Sequence, residues 1–204
     1  MYIPNSYNMR DRVKIMDFMK RFSFATIITS KNDFPVATHL PFLIKEENGN
    51  LLLLSHFAKQ NEQWKNIEGN NILVIFSEPH AYISPSNYEK ELNVPTWNYV
   101  SVHAYGKGQV LTKDEDVIAV IESTIDNYEI SYKEQWNRLP EKYKKGQLMG
   151  IVAFKIIITE IQAKEKLSQN KTRNEQKKIV ETLSVSNDTN ERIIAEYMKQ
   201  KLQS

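Results

Sequence analysis

With 204 residues, 41% of them hydrophobic, the chain can bury one sizeable core, and its length favours one domain over two. The complete absence of cysteine excludes disulfides, thiolate nucleophiles, iron–sulfur clusters and Cys-ligated zinc. A formal net charge of +2 is too small for the footprint of a duplex-DNA binder, which shows as a clustered basic face.

No stretch approaches the roughly 18 apolar residues of a membrane span, and residues 1–7 lack the basic start and apolar run of a signal peptide. A cytoplasmic protein with no membrane partner is expected. Residues 8–21 open on a capping residue, carry Asp11 in the first turn and set Val13, Met16 and Met19 at helical spacing, which predicts an amphipathic helix. Residues 22–30 (F-S-F-A-T-I-I-T-S) alternate and are rich in β-branched and aromatic side chains, and Lys31-Asn32-Asp33 turns the chain into a second strand at 34–44. A polar turn with Asn48-Gly49 at its centre leads to a third strand at 51–57, antiparallel to the second.

Residues 58–67 predict one or two helical turns, followed by strands at 72–77 and 80–84, an irregular excursion at 85–95 and a strand at 97–111 with Gly106 and Gly108 as expected bulges. Acidic residues at the start and Val117, Ile118, Ile121 and Ile125 on one face predict a helix over 114–128. A last strand is expected at 149–163, then helices at 173–183 and 190–202 joined by a polar connector. From Lys171 onward seven basic residues stand against five acidic ones, the pattern of a solvated helix face, with phosphate contact as the alternative. Six or seven mostly antiparallel strands with peripheral helices make the fold class mainly β (α+β), a small closed or partly closed barrel that leaves few exposed strand edges.

Three segments can carry chemistry. In S-H-F-A-K-Q-N-E-Q-W (55–64) a buried strand delivers Lys59 and Asn61 to the start of a short helix, where free backbone amides and a cation suit an anion; a surface lysine with Trp64 as a core anchor is the plainer reading. In A-T-H-L-P (37–41) His39 lies within an apolar strand, where a lone histidine is ordinarily a hydrogen-bonded structural residue. The four histidines show no helical i, i+4 metal spacing, and no metal site is expected. A-Y-I-S-P-S (81–86) and V-P-T-W-N-Y (94–99) are rich in aromatic, hydroxyl and amide groups, which suit a flat heterocycle or a subunit interface. No G-x-S-x-G, G-x-G-x-x-G or P-loop motif is present.

Taken with V-H-A-Y-G (102–106), L-M-G-I-V-A-F (148–154) and K-L-S-Q-N (166–170), these blocks stand in the order of the PaiB-type family of negative transcriptional regulators, which the chain resembles from about residue 1 to 170. That family belongs to the flavin-binding split-barrel superfamily, which includes the pyridoxamine-phosphate oxidases. The resemblance implies a six-stranded split barrel of antiparallel Greek-key type over 1–170, a helical extension over 171–204, and a homodimer holding FMN in grooves between subunits. It implies Lys59, Asn61 and Trp64, with His56 nearby, on the phosphate and ribityl side. Ala37, Thr38, His39 and Leu40 then edge the isoalloxazine ring, Trp97 and Asn98 cover it from the other subunit, and Ser168, Gln169 and Asn170 close the site. The chain departs from the pattern in having Lys59 where Arg is usual, Glu62 where Pro is common and Asn87 where Trp follows S-P-S; lysine neutralises phosphate without arginine's two-pronged fork, so weak or absent FMN binding is an outcome the sequence allows.

By the same resemblance the function is negative regulation of transcription, in known cases tied to protease production and sporulation, with DNA as partner by family likeness only; no helix-turn-helix with a basic recognition helix is visible. The alternative is a flavin-dependent oxidoreductase acting on a small molecule, with His39, His56 or His103 serving proton transfer. A haem-binding branch of the superfamily makes a histidine axial ligand a third possibility.

Overall fold

The computed structural model describes residues 1–203. In chain order they form α1 (Arg12–Arg21), β1 (Phe24–Lys31), β2 (Phe34–Pro41), β3 (Leu43–Glu47), β4 (Asn50–Ala58), β5 (Asn71–Phe76), β6 (His80–Ile83), β7 (Thr96–Val110), α2 (Asp114–Tyr128), α3 (Tyr132–Arg138), α4 (Glu141–Leu148), β8 (Ile151–Lys166), α5 (Arg173–Ser184) and α6 (Thr189–Gln203). Short 3₁₀ turns occupy Asn5–Tyr7, Glu62–Asn66 and Pro85–Asn87. No helix among the described residues is long and apolar enough to cross a membrane.

The chain divides into two compact units. One, the sheet unit, comprises residues 16–76 and 103–161; the other, the terminal unit, comprises 1–15, 77–102 and the described residues from 162 on. Residues 171–203 thus share a unit with the chain's opening and with the excursion after β6.

The sheet has eight strands, in the hydrogen-bonded order β2-β1-β5-β7-β8-β4-β3 with β6 added on β7. The expectation of six or seven strands falls short because the apolar run over 34–44 is two strands. The run is interrupted at Phe42, whose amide makes the last bond of the β1–β2 register, to the Ser23 carbonyl (2.8 Å), before Leu43 pairs with β4. β2 therefore pairs with β1 (Phe24 opposite Pro41, Lys31 opposite Phe34), while β3 pairs with β4 (Leu43 opposite Leu54, Glu47 opposite Asn50). A continuous sequence run thus supplies both ends of the sheet, and the third expected strand, β4, is antiparallel to β3 instead of β2. The two tight hairpins are made by Asn32-Asp33 (φ 51° and 63°) and Asn48-Gly49 (φ 50° and 79°), the left-handed pairs whose twist suits a two-residue connection.

The sheet unit's core is aromatic. Phe154 stacks on Phe57 with ring centroids 4.9 Å apart and meets Phe42 edge-on at 6.2 Å, and Phe42 in turn meets Phe76 at 6.1 Å. All four are essentially inaccessible to solvent. Gly106 and Gly108, expected as bulges, mark close backbone approach: a Cβ at Gly106 would sit 2.4 Å from the Ile157 carbonyl oxygen, and one at Gly108 2.5 Å from that of Ile67. α2 begins on Asp114, Glu115 and Asp116, where carboxylates favour the helix dipole, and its end is fixed by the Tyr128 and Ser23 hydroxyls at 2.6 Å. α3 and α4 follow; α3 buries Trp136, whose indole N–H donates to Glu122 Oε1 (3.3 Å).

In the terminal unit, Asp11 rather than Asn8 caps α1. Its Oδ1 accepts from the amides of Val13 and Lys14 (2.9 and 3.2 Å), and Asn8 instead bridges to Lys164. α5 and α6 bury Ile179, Val180 and Leu183 together with Ile194, Ala195 and Met198. α5 starts on a capping box: Thr172 Oγ1 accepts from the Glu175 amide, and Glu175 Oε2 accepts from the Thr172 amide. Oε1 of the same carboxylate accepts from the Glu89 amide (3.0 Å), tying the 85–95 excursion to the helix. The backbone N–H of Glu89, then that of Thr172, hold the Glu175 carboxyl below its ordinary pKa. A depressed folded-state pKa gives stability that is present above the unfolded value, near 4.5, and is lost as pH falls through the folded one. Glu175→Gln is therefore expected to unfold at lower temperature than the wild type at pH 7, and the gap to close as pH drops below about 4. Thermal melts of both proteins across pH 7 to 3 check this; a gap independent of pH counts against it.

Candidate functional site

In the sheet unit, β4 emerges from the core at Ser55-His56-Phe57-Ala58. Ser55 Oγ donates to the Pro41 carbonyl (2.7 Å), holding β4 to the end of β2. The next residue beyond the strand, Lys59, is fixed through its backbone: its amide donates to the Gly150 carbonyl (2.8 Å), and its carbonyl accepts from the Trp64 indole (3.1 Å). The Lys59 side chain, exposed and without a hydrogen-bond or ion-pair partner among the described residues, borders a cavity of about 450 Å³ with Trp64. Val110, Leu111, Leu148 and Val152 give that cavity apolar walls, and Asp114 and Lys145 add one charge of each sign. Its volume lies in the range of small-molecule sites.

Asn61 caps the 3₁₀ turn by accepting from the Gln63 amide (3.1 Å), so this amide, one of those expected to face an anion, is already engaged. Asn61 Nδ2 donates to Thr38 Oγ1 (3.0 Å), and that hydroxyl donates to Gln63 Oε1 (2.6 Å). Gln63 Nε2 reaches the Val36 carbonyl (3.0 Å) and, more weakly, that of Ile27 (3.4 Å). Gln63 is buried, and it fastens the turn to the first hairpin. Thr38 and Asn61, expected at different parts of one ligand, are thus in direct contact, and Gln63, which the sequence did not single out, bonds to both. Glu62 points to solvent and pairs with Lys65 (2.5 Å), which holds its carboxyl below the ordinary pKa.

Strand alternation divides the remaining β2 residues. Thr38 and Leu40 are half-buried on the Gln63 side; Ala37 and His39 are exposed on the other, where the His39 ring lies parallel to Phe24 with centroids 6.3 Å apart. His56 and His103 are half-buried, and desolvation lowers the pKa of both, so each is a neutral imidazole at pH 7. His103 Nδ1 has no partner among the described residues. No cluster of three or more His, Asp or Glu able to hold a metal occurs among them.

The other expected residues lie in the terminal unit. Trp97 is 52% exposed and meets Tyr82 edge-on and His80 at a tilt, both at 5.8 Å, in an aromatic row across the β6–β7 hairpin. Asn98 is fully buried: its Nδ2 donates to Met198 Sδ (3.4 Å), and its Oδ1 accepts from Ser168 Oγ (3.1 Å). Gln169 folds back on its own turn, accepting from the Leu167 amide (2.7 Å) and donating to the Glu165 carbonyl (2.6 Å). Asn170 is exposed. Trp97 and Asn170 present free surface, whereas Asn98 and Gln169 are engaged inside their own unit.

Residues 1–160 match the family described as "Putative FMN-binding domain". The chain belongs to this family. Across 206 aligned residues, covering 99% of this chain and 98% of the relative, it is 38% identical to the "Protease synthase and sporulation protein PAI 2" of Bacillus subtilis, a PaiB-type protein. Among solved structures it is similar to the FAD and haem binding protein of Mycobacterium smegmatis, with a TM-score of 0.62, 15% identity and coverage of 78% of this chain and 73% of that one. It is similar also to the flavocytochrome Anf3 of Azotobacter vinelandii, with a TM-score of 0.61, 15% identity and coverage of 78% and 69%. At such identities the likeness is one of fold, and the fold of this FMN-binding-domain protein is the flavin-binding split barrel, here with an open sheet.

Proposed function

We propose that this protein binds FMN and acts, as a homodimer, as a negative regulator of transcription of the PaiB type. The contact between Asn61 and Thr38 carries the reading, because it unites the exit of β4 with β2, two of the segments to which the family likeness assigns the ligand. FMN combines a flat, largely apolar ring with a hydroxylated chain and a phosphate, and the residues here fit it. Lys59 offers the phosphate an unpaired ammonium, Asn61 retains a second amide hydrogen for the chain, and Thr38 with its strand neighbours provides an edge for the ring. The bound flavin supplies electron-transfer chemistry; the protein holds and orients it.

The homodimer is supported by the outward face of β2, β1 and β5. Phe24, 69% exposed, stands there with Ala37 and His39 and with the half-buried Ile28, Leu73 and Ile75, an apolar sheet face that a second copy covers. The regulatory role is supported by full-length similarity to a relative named for protease synthesis and sporulation.

Fluorescence titration of the full chain with FMN tests the reading. Lys59→Ala is expected to weaken binding about 10- to 100-fold, the worth of one charge-assisted hydrogen bond, and Lys59→Arg to preserve it. FMN binding indifferent to Lys59 rejects the site. Failure of the FMN-loaded and flavin-free dimers to retard any promoter fragment at low salt rejects direct repression, and reduction of the bound flavin by NADH or NADPH favours the oxidoreductase alternative.

A further inference from the structure

The terminal unit holds a second, smaller cavity of about 160 Å³, bordered by Tyr7, Tyr88, Lys166, Ser168, Asn170 and Lys171. It is too small for a flavin ring and has room for about five waters. We propose that it binds a small oxyanion of the phosphate class; the family likeness gives Ser168 and Asn170 to the flavin, but the flavin reading above rests on Lys59, Asn61 and Thr38 and does not use this cavity.

Charge carries the argument. No carboxylate lines this cavity, yet two ammonium groups do. Lys166 donates to Thr96 Oγ1 and to the Trp97 carbonyl (2.5 Å), and Lys171 donates to Asn93 Oδ1 (2.7 Å) while lying 3.6 Å above the Tyr88 ring. Every hydrogen-bond and ring partner of both lysines is neutral. A third, Lys164, sits two residues before Lys166 on β8, buried between the rings of Tyr2 and Tyr99 and donating to the Tyr2 carbonyl (3.3 Å). None of the three has an ion pair among the described residues.

Of the neighbouring acids, Glu165 pairs with Lys201, and Glu175 lies within electrostatic reach of Lys171 but outside the cavity lining, its oxygens taken by the amides of Glu89 and Thr172. Half-buried cations ordinarily find counter-charges, and burial together with the charge of Lys164 lowers the pKa of Lys166. A bound anion meets that deficit. Each of Lys166 and Lys171 keeps one N–H beyond the two interactions described. Asn170 is exposed at the rim, and Ser168, at φ 60°, turns the chain back between the lysines. Ammonium groups act as point charges and suit a tetrahedral phosphate, whereas a planar carboxylate is better matched by the fork of an arginine.

The test is calorimetric titration of the full chain with inorganic phosphate against sodium chloride of equal ionic strength. One phosphate per chain is expected, weakened at least tenfold in Lys166→Gln and in Lys171→Gln and retained in Lys171→Arg. Phosphate should also protect these two lysines of the unmodified chain from acetylation, read by mass spectrometry, a result independent of how the variants fold. No phosphate-specific heat and no protection, or equal binding by the double Gln variant, overturns the proposal. Repeating the titration with FMN at saturation identifies the source of the anion: unchanged binding assigns the cavity to a free oxyanion, and lysine-dependent competition assigns it to the phosphate of the flavin itself. A chain that binds phosphate but not FMN upholds this site while rejecting the flavin reading.

Discussion

Replacing Phe154 with alanine is expected to lower the unfolding temperature by roughly 6–20 °C, from a stability loss of about 3–5 kcal/mol for a buried aromatic ring and about 2–4 °C per kcal/mol in a chain of this size. The ring is the junction of the sheet unit's core, stacked on Phe57 and edge-on to Phe42, and its backbone stands opposite Ser55 in the β4–β8 register. Its removal leaves a void between β8 on one side and β4 and the β2–β3 break on the other. The surrounding strands are hydrogen-bonded on both sides and can collapse into that void only partly. Circular dichroism melts of wild type and variant measure the effect; a drop of less than about 3 °C means that Phe42 and Phe57 close the gap. Because β4 carries the chain directly to Lys59 and Asn61, FMN affinity should fall with stability.

Much of the fold was legible where local pattern and tertiary environment agree. The alternation of 22–30 gives β1, whose buried residues are Ala25, Ile27 and Thr29, and the acidic start and apolar face over 114–128 give α2 with the same bounds. Asn48-Gly49 announced a hairpin because few other residue pairs take up two successive left-handed conformations. The division of β2 from β3 was not legible, since 34–44 reads as one apolar run and the break is a change of pairing partner, from β1 up to Phe42 to β4 from Leu43, which local pattern does not encode. α3 and α4 escaped for the opposite reason. Their sequences, YKEQWNR and EKYKKGQL, carry too few apolar positions to form a stripe, and α3 is anchored chiefly by Trp136.

The candidate site shows the same division. Lys59, Asn61 and Trp64 stood out because a cation, an amide and an indole follow directly on a buried strand, and the structure brings Lys59 and Trp64 to one cavity and Asn61 to Thr38. Gln63 did not stand out. Nothing in the type or spacing of a glutamine announces burial, which here follows from the packing of the 3₁₀ turn against the first hairpin. Asn98, which the resemblance places beside Trp97 over the ring, lies on the opposite face of β7, where alternation turns it inward to Ser168 and Met198.

Gln63→Leu is the sharper test of the site, because it separates architecture from ligand contact. Leucine keeps much of the volume but removes the acceptor for Thr38 Oγ1 and the donor to the Val36 carbonyl, leaving polar groups without partners in a part-buried setting. Each such loss costs about 1–3 kcal/mol, so a destabilisation of about 2–6 kcal/mol is expected in denaturant unfolding. Thr38 is then free to rotate, Asn61 loses the oriented hydroxyl to which it donates, and the β4 exit is no longer fastened to β2. FMN affinity is expected to fall about tenfold although the glutamine is buried beneath the site. The decisive comparison is with Phe154→Ala under conditions where both variants remain folded: a loss of FMN affinity in Gln63→Leu exceeding that in the core variant means that the Thr38–Asn61–Gln63 chain shapes the binding site. Equal affinities in the two variants would make Gln63 a structural fastener alone and move the flavin away from the junction of β2 and β4.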